Sequence, residues 1–416
     1  MRYSHRYRAY PNWTNTTSKC ERHINIARQL YNHIRRDYQT SPDNNKPSEY
    51  DQNNKLTNWK QNWNLFGELH SKVAQNVTSR FHRNLANLHK KKQHGGKVGW
   101  LKHKCRGEYQ SITYSQSGFE LEHNNDRNGY KNLKLSKIGT IPLRYHRNLP
   151  DHAEIKELTL KREPSGIWYV SFGFEIETTE LPAKTPVSEL EHDEIVGLDL
   201  GVSNYIHTSN GVSVGWLDLA EEYDKLDSIQ QDLSRKQYGS NNWEENRRKL
   251  AEQKLHIQRQ VVDFQHKLTK WLTTEYECVV VEDLDVQKML GGSMNARKMQ
   301  DCSWSRFISM LEYKGELYGC RVVKVNPRGT TKECSECGVE TEKPLWVREH
   351  SCPSCGFELD RDWNAALNVV QRGVENLGVG DAEDTLVETG LPVGDGSDVS
   401  ESVSAKSVVE ARSLGA

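Results

Sequence analysis

Apolar residues recur along this chain with two periods, and the period changes with position. Tyr3 to Tyr10 alternates aromatic and polar residues before Pro11, the signature of a strand. Cys20, Ile24, Ala27, Tyr31, Ile34 and Tyr38 then fall at spacings of three and four, as on one face of an amphipathic helix. Leu65, Leu69, Val73, Val77, Phe81 and Leu85 make a second such stripe. Residues 41–47, with two prolines among Ser, Asp and Asn, read as the loop between them. From about 107 to 180 the period falls to two. Ile112 to Tyr114, Leu133 to Leu135, Ile155 to Leu160 and Trp168 to Phe174 are short alternating runs separated by Gly, Pro and Asn, which predicts a small antiparallel sheet or barrel. Residues 1–10 are a candidate strand of the same sheet.

A Pro- and acid-rich linker, Leu181 to Asp193, marks a domain boundary. Beyond it, Ile195 to Gly201 reads as a buried strand ending in a turn, followed by helical stripes at Tyr223, Leu226, Ile229 and Leu233, and at Leu250, Ile257, Val261, Phe264, Leu268 and Trp271. Cys278 to Glu282 and Arg321 to Val325 are two further apolar strands. Strands separated by helices predict an α/β sheet covered on its faces. After Gly373 the periodicity fades into an acidic tail, expected to be disordered. No run approaches the ~18 apolar residues of a membrane span, and the basic N-terminus lacks an apolar stretch after it. A soluble, cytoplasmic protein with no membrane partner is expected, and the two Asn-x-Thr patterns at Asn12 and Asn15 then carry no meaning.

Charge changes this picture. The 416 residues sum to −1, yet residues 1–110 hold 21 Lys+Arg against 7 Asp+Glu, while residues 163–416 hold 26 against 44. A basic front half predicts a polyanionic partner, of which nucleic acid is the commonest. The tract from His89 to Arg106, with Trp100 among lysines and glycines, suits a phosphate grip with a stacking ring; a solvated loop with the Trp packed elsewhere fits it equally well.

Two constellations carry chemistry. Cys334-x-x-Cys337 and Cys352-x-x-Cys355 have the spacing of a zinc ribbon, where four thiolates close a tetrahedral site with no open position, so a structural Zn²⁺ is expected. His350 nearby is expected at the surface. Asp199 and Glu282 end otherwise apolar strands, and Asp362 stands in Asp360-Arg361-Asp362 at a helix start, where at least one Asp is expected to act as the cap. Buried carboxylates are costly unless they hold a cation. Three of them on one sheet edge would suit Mg²⁺ or Mn²⁺ and the hydrolysis of a phosphodiester.

Val196-Gly197-Leu198-Asp199-Leu200-Gly201, Val281-Glu282-Asp283-Leu284, Trp304-x-x-Phe307 with Leu311-x-Tyr313-Lys314, Cys334-Ser335-Glu336-Cys337-Gly338 and Asp360-Arg361-Asp362-x-Asn364-Ala365-Ala366, in that order, resemble the TnpB (OrfB) family. These are insertion-sequence-encoded RNA-guided DNA endonucleases, historically classed with transposases. The resemblance covers about residues 1–378 and extends weakly to Leu133-x-Leu135-x-Lys137-Ile138-Gly139. Thr330-Thr331 and Gly315 depart from the family's usual Thr-Ser and Ala without touching an acid.

The resemblance implies a multidomain α+β fold: a RuvC-type, RNase H-like nuclease domain with an inserted zinc ribbon, preceded by a helical recognition region and a small β-barrel, the wedge. The implied boundaries are 1–14 and 105–180 for the barrel, 15–104 for the helical region, 181–193 for the linker, 194–330 and 357–378 for the nuclease domain, 331–356 for the ribbon and 379–416 for the tail. It implies Asp199, Glu282 and Asp362 as catalytic, metal-holding acids, Asp362 being preferred to Asp360 because the family's acid stands two residues before the Asn. It also implies two partners, a guide RNA from the transposon end and double-stranded target DNA. A non-cleaving zinc-ribbon DNA-binding accessory of transposition is the alternative, which loss of one acid would have favoured. A strand-transferring transposase would need a His-x-His motif with a Tyr nucleophile, and none presents itself.

Overall fold

In the computed structural model the alternation at the N-terminus becomes strand β1 (Arg2–Ala9), and the first apolar stripe becomes helix α1 (Thr17–Thr40). The residues described are 2–122, 129–150, 154–177, 181–284, 302–344 and 346–378; the expected acidic tail, 379–416, lies outside them. Two compact units divide the chain, Met1–Thr178 and Thr179–Ala416. Among the described residues no helix is long and apolar enough to cross a membrane.

In the first unit, α1 is followed by α2 (Glu49–Asn62), the single turn α3 (Asn64–Gly67) and α4 (Ser71–Gln93). Here the structure departs from the apolar pattern twice. Helix α2 was not legible because it is polar: its buried residues are Gln52, Leu56 and Trp59. A capping box starts it, Ser48 Oγ accepting from Asp51 N at 3.2 Å while Ser48 N donates to Asp51 Oδ2 at 2.9 Å. Polar side chains fix it to α1, Gln52 donating to the Ile34 carbonyl at 3.0 Å and Lys55 pairing with Asp37 at 3.0 Å. The second apolar stripe is also not one helix, since Leu65 belongs to α3 and α4 starts only at Ser71.

Strands β2 (Ser111–Ser115), β3 (Phe119–Leu121), β4 (Tyr130–Leu135), β5 (Gly139–Arg144), β6 (Glu154–Arg162) and β7 (Trp168–Glu175) join β1 in a seven-stranded, barrel-like antiparallel sheet of order β2-β6-β7-β1-β5-β4-β3. The N-terminal strand is central. Tyr7 pairs with Val170, Val170 with Leu160 and Leu160 with Ile112, a buried row that shares one core with α1 and α4.

The second unit is built on β8 (Ile195–Leu200), β9 (Asn204–Thr208), β10 (Ser213–Gly215), β11 (Cys278–Glu282) and β12 (Arg321–Val325), in the order β10-β9-β8-β11-β12. β8, β11 and β12 are parallel, while β9 and β10 run antiparallel to their neighbours. This is the RNase H-like arrangement of a RuvC-type nuclease fold. Between strands come α5 (Ala220–Ser234), α6 (Asn241–Glu275) and α7 (Trp304–Tyr318), and after the cysteine segment with β13 (Glu349–Ser351) and β14 (Glu358–Asp360) comes α8 (Arg361–Leu377).

Both faces of the sheet are covered, which is why β8 and β11 are buried at every residue. Val196, Leu198, Val279 and Val281 meet Phe264, Leu268 and Leu272 of α6 and Phe307 and Leu311 of α7. On the other face, Ile195, Cys278 and Val280 meet Val369 and Val374 of α8. Helix α8 sits unusually close. A Cβ on Gly197 would lie 2.5 Å from the Ala366 carbonyl oxygen and 2.6 Å from the Val370 amide, and one on Gly373 would overlap the Val280 side chain.

Gly197→Val should therefore push α8 off β8 and destabilise this unit by about 1 to 3 kcal/mol or more. Thermal denaturation reads this directly; an unchanged midpoint would refute the close seating.

Candidate metal centres

The parallel register that pairs Leu198 with Val281 places Asp199 and Glu282 side by side one step farther along their strands. Alternation puts both on the face that carries Ile195, Gly197 and Val280, the face covered by α8. Asp199 is 7% and Glu282 6% exposed. Burial, with Glu282 and Asp362 close by, pushes the Asp199 carboxyl well above the usual carboxylate range. Burial also raises Glu282, against the Thr330 hydroxyl, which donates to its Oε1 at 2.6 Å, and the charge of Arg372. Among the described residues no hydrogen-bond donor reaches the Asp199 carboxylate.

Helix α8 brings the third acid. Asp360 is its N-cap, accepting from the amides of Asp362 at 2.9 Å and Trp363 at 3.1 Å, so its carboxylate is engaged as the cap. Asp362, in the first turn, lines with Asp199 a cleft of about 860 Å³ that also takes in Ser203, Trp216, Arg348 and Arg361. Glu282 adjoins Asp199 without lining it. Two arginines hold Asp362: Arg348 reaches Oδ2 at 2.9 Å and Arg361 reaches Oδ1 at 2.9 Å. Arg348 also donates to Ser203 Oγ at 2.7 Å. The three acids thus share one region, but among the described residues the four cysteines are the group of three or more His, Cys, Asp or Glu whose ligand atoms all lie within 4.8 Å of one another.

Motif reading did not single out three groups here. Arg348 and Arg361 border the cleft, and only Arg361 had a signal, its place between two aspartates. His207 lies directly across β9 from Asp199, buried, with Ser213 Oγ 2.9 Å from its Nδ1 and Trp363 6.5 Å away. Burial lowers its pKa, which favours the neutral ring. The strand that carries it is short and of mixed polarity, so no pattern pointed to it.

The cysteines form two copies of one turn. Gly338 N donates to the Cys334 carbonyl at 2.8 Å and Gly356 N to the Cys352 carbonyl at 3.0 Å; Cys334 N reaches Val339 O at 3.1 Å and Cys352 N reaches Phe357 O at 2.8 Å. Both glycines have positive φ, +72° and +77°, which this return of the chain requires. Cys334 and Cys355 sulfurs are 3.7 Å apart, and those of Cys337 and Cys352 3.5 Å. A tetrahedral zinc with Zn–S of about 2.3 Å puts sulfurs about 3.8 Å apart, so the set fits that ion. His350 is not at the surface as expected: it is fully buried in β13, opposite Leu359 of β14.

A ladder on α8 ties the first of these turns to the acids. Asn364 accepts from Ser335 N at 3.0 Å and donates to Glu333 O at 2.7 Å; Asn368, one turn on, donates to Thr330 O and Glu333 O, both at 2.8 Å. Arg372, a further turn on, holds Asn326 O at 2.6 Å and Arg328 O at 2.9 Å. The segment from Asn326 to Ser335 thereby touches Glu282 through Thr330, the cysteine turn, and the helix bearing Asp362.

Family models place this architecture among known proteins. One described as "Probable transposase", of the OrfB type of IS605, matches residues 175–292, and one described as "Cas12f1-like, TNB domain" matches residues 304–369. A protein of Streptomyces pristinaespiralis named "Putative RNA-guided DNA endonuclease" is 33% identical over 333 residues, 78% of each chain. "Putative RNA-guided DNA endonuclease InsQ" of Escherichia coli K12 is 29% identical over 312 residues, 70% of this chain and 71% of its own. A Cas12f1 complex with single guide RNA and target DNA, solved by cryo-EM, aligns over 86% of this chain and 85% of its own with 15% identity and a TM-score of 0.49.

Because the folded state raises the pKa of Asp199, that carboxylate costs metal-free stability, increasingly so as pH rises from the ordinary carboxylate range through the raised value. Asp199→Asn is expected to raise the melting temperature of the metal-free protein by about 2 to 4 °C at neutral pH. Well below pH 4, where the group is protonated whether folded or not, the gain should vanish. An equal or lower midpoint at neutral pH, measured by scanning calorimetry in magnesium- and manganese-free buffer, would overturn this reading.

Proposed function

Since the chain belongs to the TnpB (OrfB) family of insertion-sequence-encoded proteins, we propose that it is a transposon-encoded RNA-guided endonuclease that hydrolyses DNA phosphodiester bonds with divalent metal ions. The observation that carries this is the placement of Asp199 and Glu282, buried side by side on adjacent strands, under the helix start that bears Asp362. The partners are a guide RNA from the transposon end and a double-stranded DNA target, met in the cytoplasm. Base pairing reads the target.

Asp199, Glu282 and Asp362 are the residues that would hold Mg²⁺ or Mn²⁺. Their all-oxygen donor set suits a hard cation, and among the described residues no donor occupies the Asp199 carboxylate. Bound there, the ions would supply activation of a water and stabilisation of the leaving oxygen. Thr330 orients the Glu282 carboxylate. Arg348 and Arg361 steady Asp362 and put two guanidinium groups on a cleft that must take a phosphate. No covalent Ser or Tyr intermediate is required, because water is the nucleophile. The four cysteines hold Zn²⁺ as a structural ion.

The region 15–104 is the recognition region. Its basic tract is laid along α1 by backbone contacts, with Arg28 and Asn32 donating to Lys104 O at 2.8 and 3.0 Å and Arg35 to Leu101 O at 2.6 Å. Lys97, Lys102 and Arg106 are left exposed for phosphates. Trp100 is 41% exposed with its ring 6.1 Å from Tyr38, so it stacks within the protein on one side.

Two measurements test this. Protein purified from its own cells should carry a discrete RNA reaching into DNA next to its gene, and Asp199→Ala should keep that RNA while cleavage of matched DNA falls by at least ~10³-fold. Cutting at the wild-type rate would sink the carboxylate assignment, and random RNA or none would favour a non-cleaving accessory. Cys352→Ser should lose the bound zinc, read by elemental analysis, and lower the melting temperature; full zinc retention would refute the four-thiolate site.

A further inference from the structure

The cleft that Asp199 and Asp362 line has two unlike sides. Its floor is the turn from Leu200 to Ser203, and on one side the cysteine segment and α8 supply Thr331, Arg348, Arg361 and Asp362. The other side comes from the stretch that leaves β10 and starts α5, with Trp216, Leu217, Leu219 and Tyr223. This side of the lining carries no cation, and its Asp218 turns back to accept from Ala220 N at 3.2 Å. Hydrolysis of a phosphodiester uses acids, bound ions and guanidinium groups, all of which the first side serves. It gives no use to the second. The cleft, at about 860 Å³, is also the size of one that encloses a whole small-molecule ligand, about 300 to 1,000 Å³, and so exceeds what a single phosphate fills.

Trp216 is built as a fixed surface. Its ring stacks on Tyr205 with centroids 4.6 Å apart and planes 25° apart, and Phe264 meets it edge-on at 5.5 Å. Tyr205 is fully buried. Its hydroxyl donates to the Cys302 carbonyl at 2.9 Å and accepts from Gln265 Nε2 at 2.8 Å, while Phe264 and Phe307 meet its ring edge-on, each at 5.2 Å. Core packing accounts for the part of the indole that rests on these rings. Trp216 is only half-buried, and the remainder borders the cleft. A rigid, flat, uncharged surface beside a phosphate grip matches one part of a nucleotide. The base is flat, is tied to the phosphate through its sugar, and presents a π face whatever its identity. The sugar has no such face.

We propose that Trp216 is a base-stacking residue of the nuclease cleft: the base next to the phosphate held at the acids lies on its indole. The stack fixes the strand along the cleft and so limits how far the attached phosphate can swing from the reacting position. This rests on the cleavage reading and adds to it a seat that the acids do not supply.

The test uses the full chain with the RNA it carries from its own cells, Mg²⁺, and DNA matched to that RNA. Wild-type cuts are mapped first, and an abasic residue is then placed singly at each nucleotide flanking a cut. One of these positions should slow wild-type cleavage about tenfold or more, the size of one base–aromatic stack. Trp216→Ala should slow cleavage of intact DNA by a similar factor and then be indifferent, within about twofold, to the same abasic residue, because ring and base act as one contact. Trp216→Leu, which keeps apolar volume without a ring, should behave as the Ala variant, and Trp216→Phe should regain most of the rate together with the abasic sensitivity. A flat abasic profile in the wild type, Ala or Leu variants that cut intact DNA at the wild-type rate, or variant and abasic losses that simply multiply would each overturn the proposal. The abasic profile is read on unaltered protein, so a folding defect in a variant leaves it decisive. If the wild type does not cut intact matched DNA, the cleavage reading fails and the seat with it; cutting with a flat profile removes the seat alone.

Discussion

Two carboxylates buried next to each other at the ends of parallel strands impose the constraint that the second unit is built around. Desolvation and mutual repulsion both act on Asp199, and the surroundings relieve little of either. A sheet covered on both faces tolerates such a pair only if its remaining contacts are tight. That tightness comes from glycine and alanine: Gly197, Gly373, Ala365 and Ala366 let α8 rest almost directly on the strands, and the helix start is thereby carried over the acids. The missing side chains are what place Asp362.

From that seat the polar ladder of α8 extends the control outward. Asn364, Asn368 and Arg372 follow one another at i, i+4 and i+8, so they lie along one side of the helix and read the backbone of residues 326–335. Buried amides that satisfy buried carbonyls are costly to break, because both partners then lose their bonds. The cysteine turn is held by the same atoms. The four-cysteine cluster therefore bears on the acids by fixing the segment whose Thr330 holds Glu282.

The first unit solves a different problem with a similar economy. Its N-terminal strand is the centre of a sheet whose other strands come more than a hundred residues later, and its helices share a core with that sheet. On the surfaces that the core leaves outside, Lys97, Lys102 and Arg106 are exposed in the tract beside α1, and arginines and tyrosines face one another across the strands.

What the sequence by itself determined follows from chemistry that is local or periodic. Fully buried parallel strands are continuous apolar runs, so β8 and β11 were legible, and the edge strand β12 showed through its valines; paired Cys-x-x-Cys motifs with glycines name their own turn and suit zinc; and acids ending apolar strands name their own cost. Where apolar periodicity is weak it was silent, as in the polar helix α2, held by a cap and side-chain bonds, and in the short strand that carries His207. The tertiary structure alone decided which residues meet. Nothing local to Asp360 and Asp362 says that one is a cap and the other faces a cleft, that Arg348 reaches Asp362 from the cysteine segment, or that His350 is buried. Nor does anything near Arg8 show that it faces Arg144. Such facts depend on register and on how closely a helix can approach a sheet, which are set by packing among residues far apart in the chain.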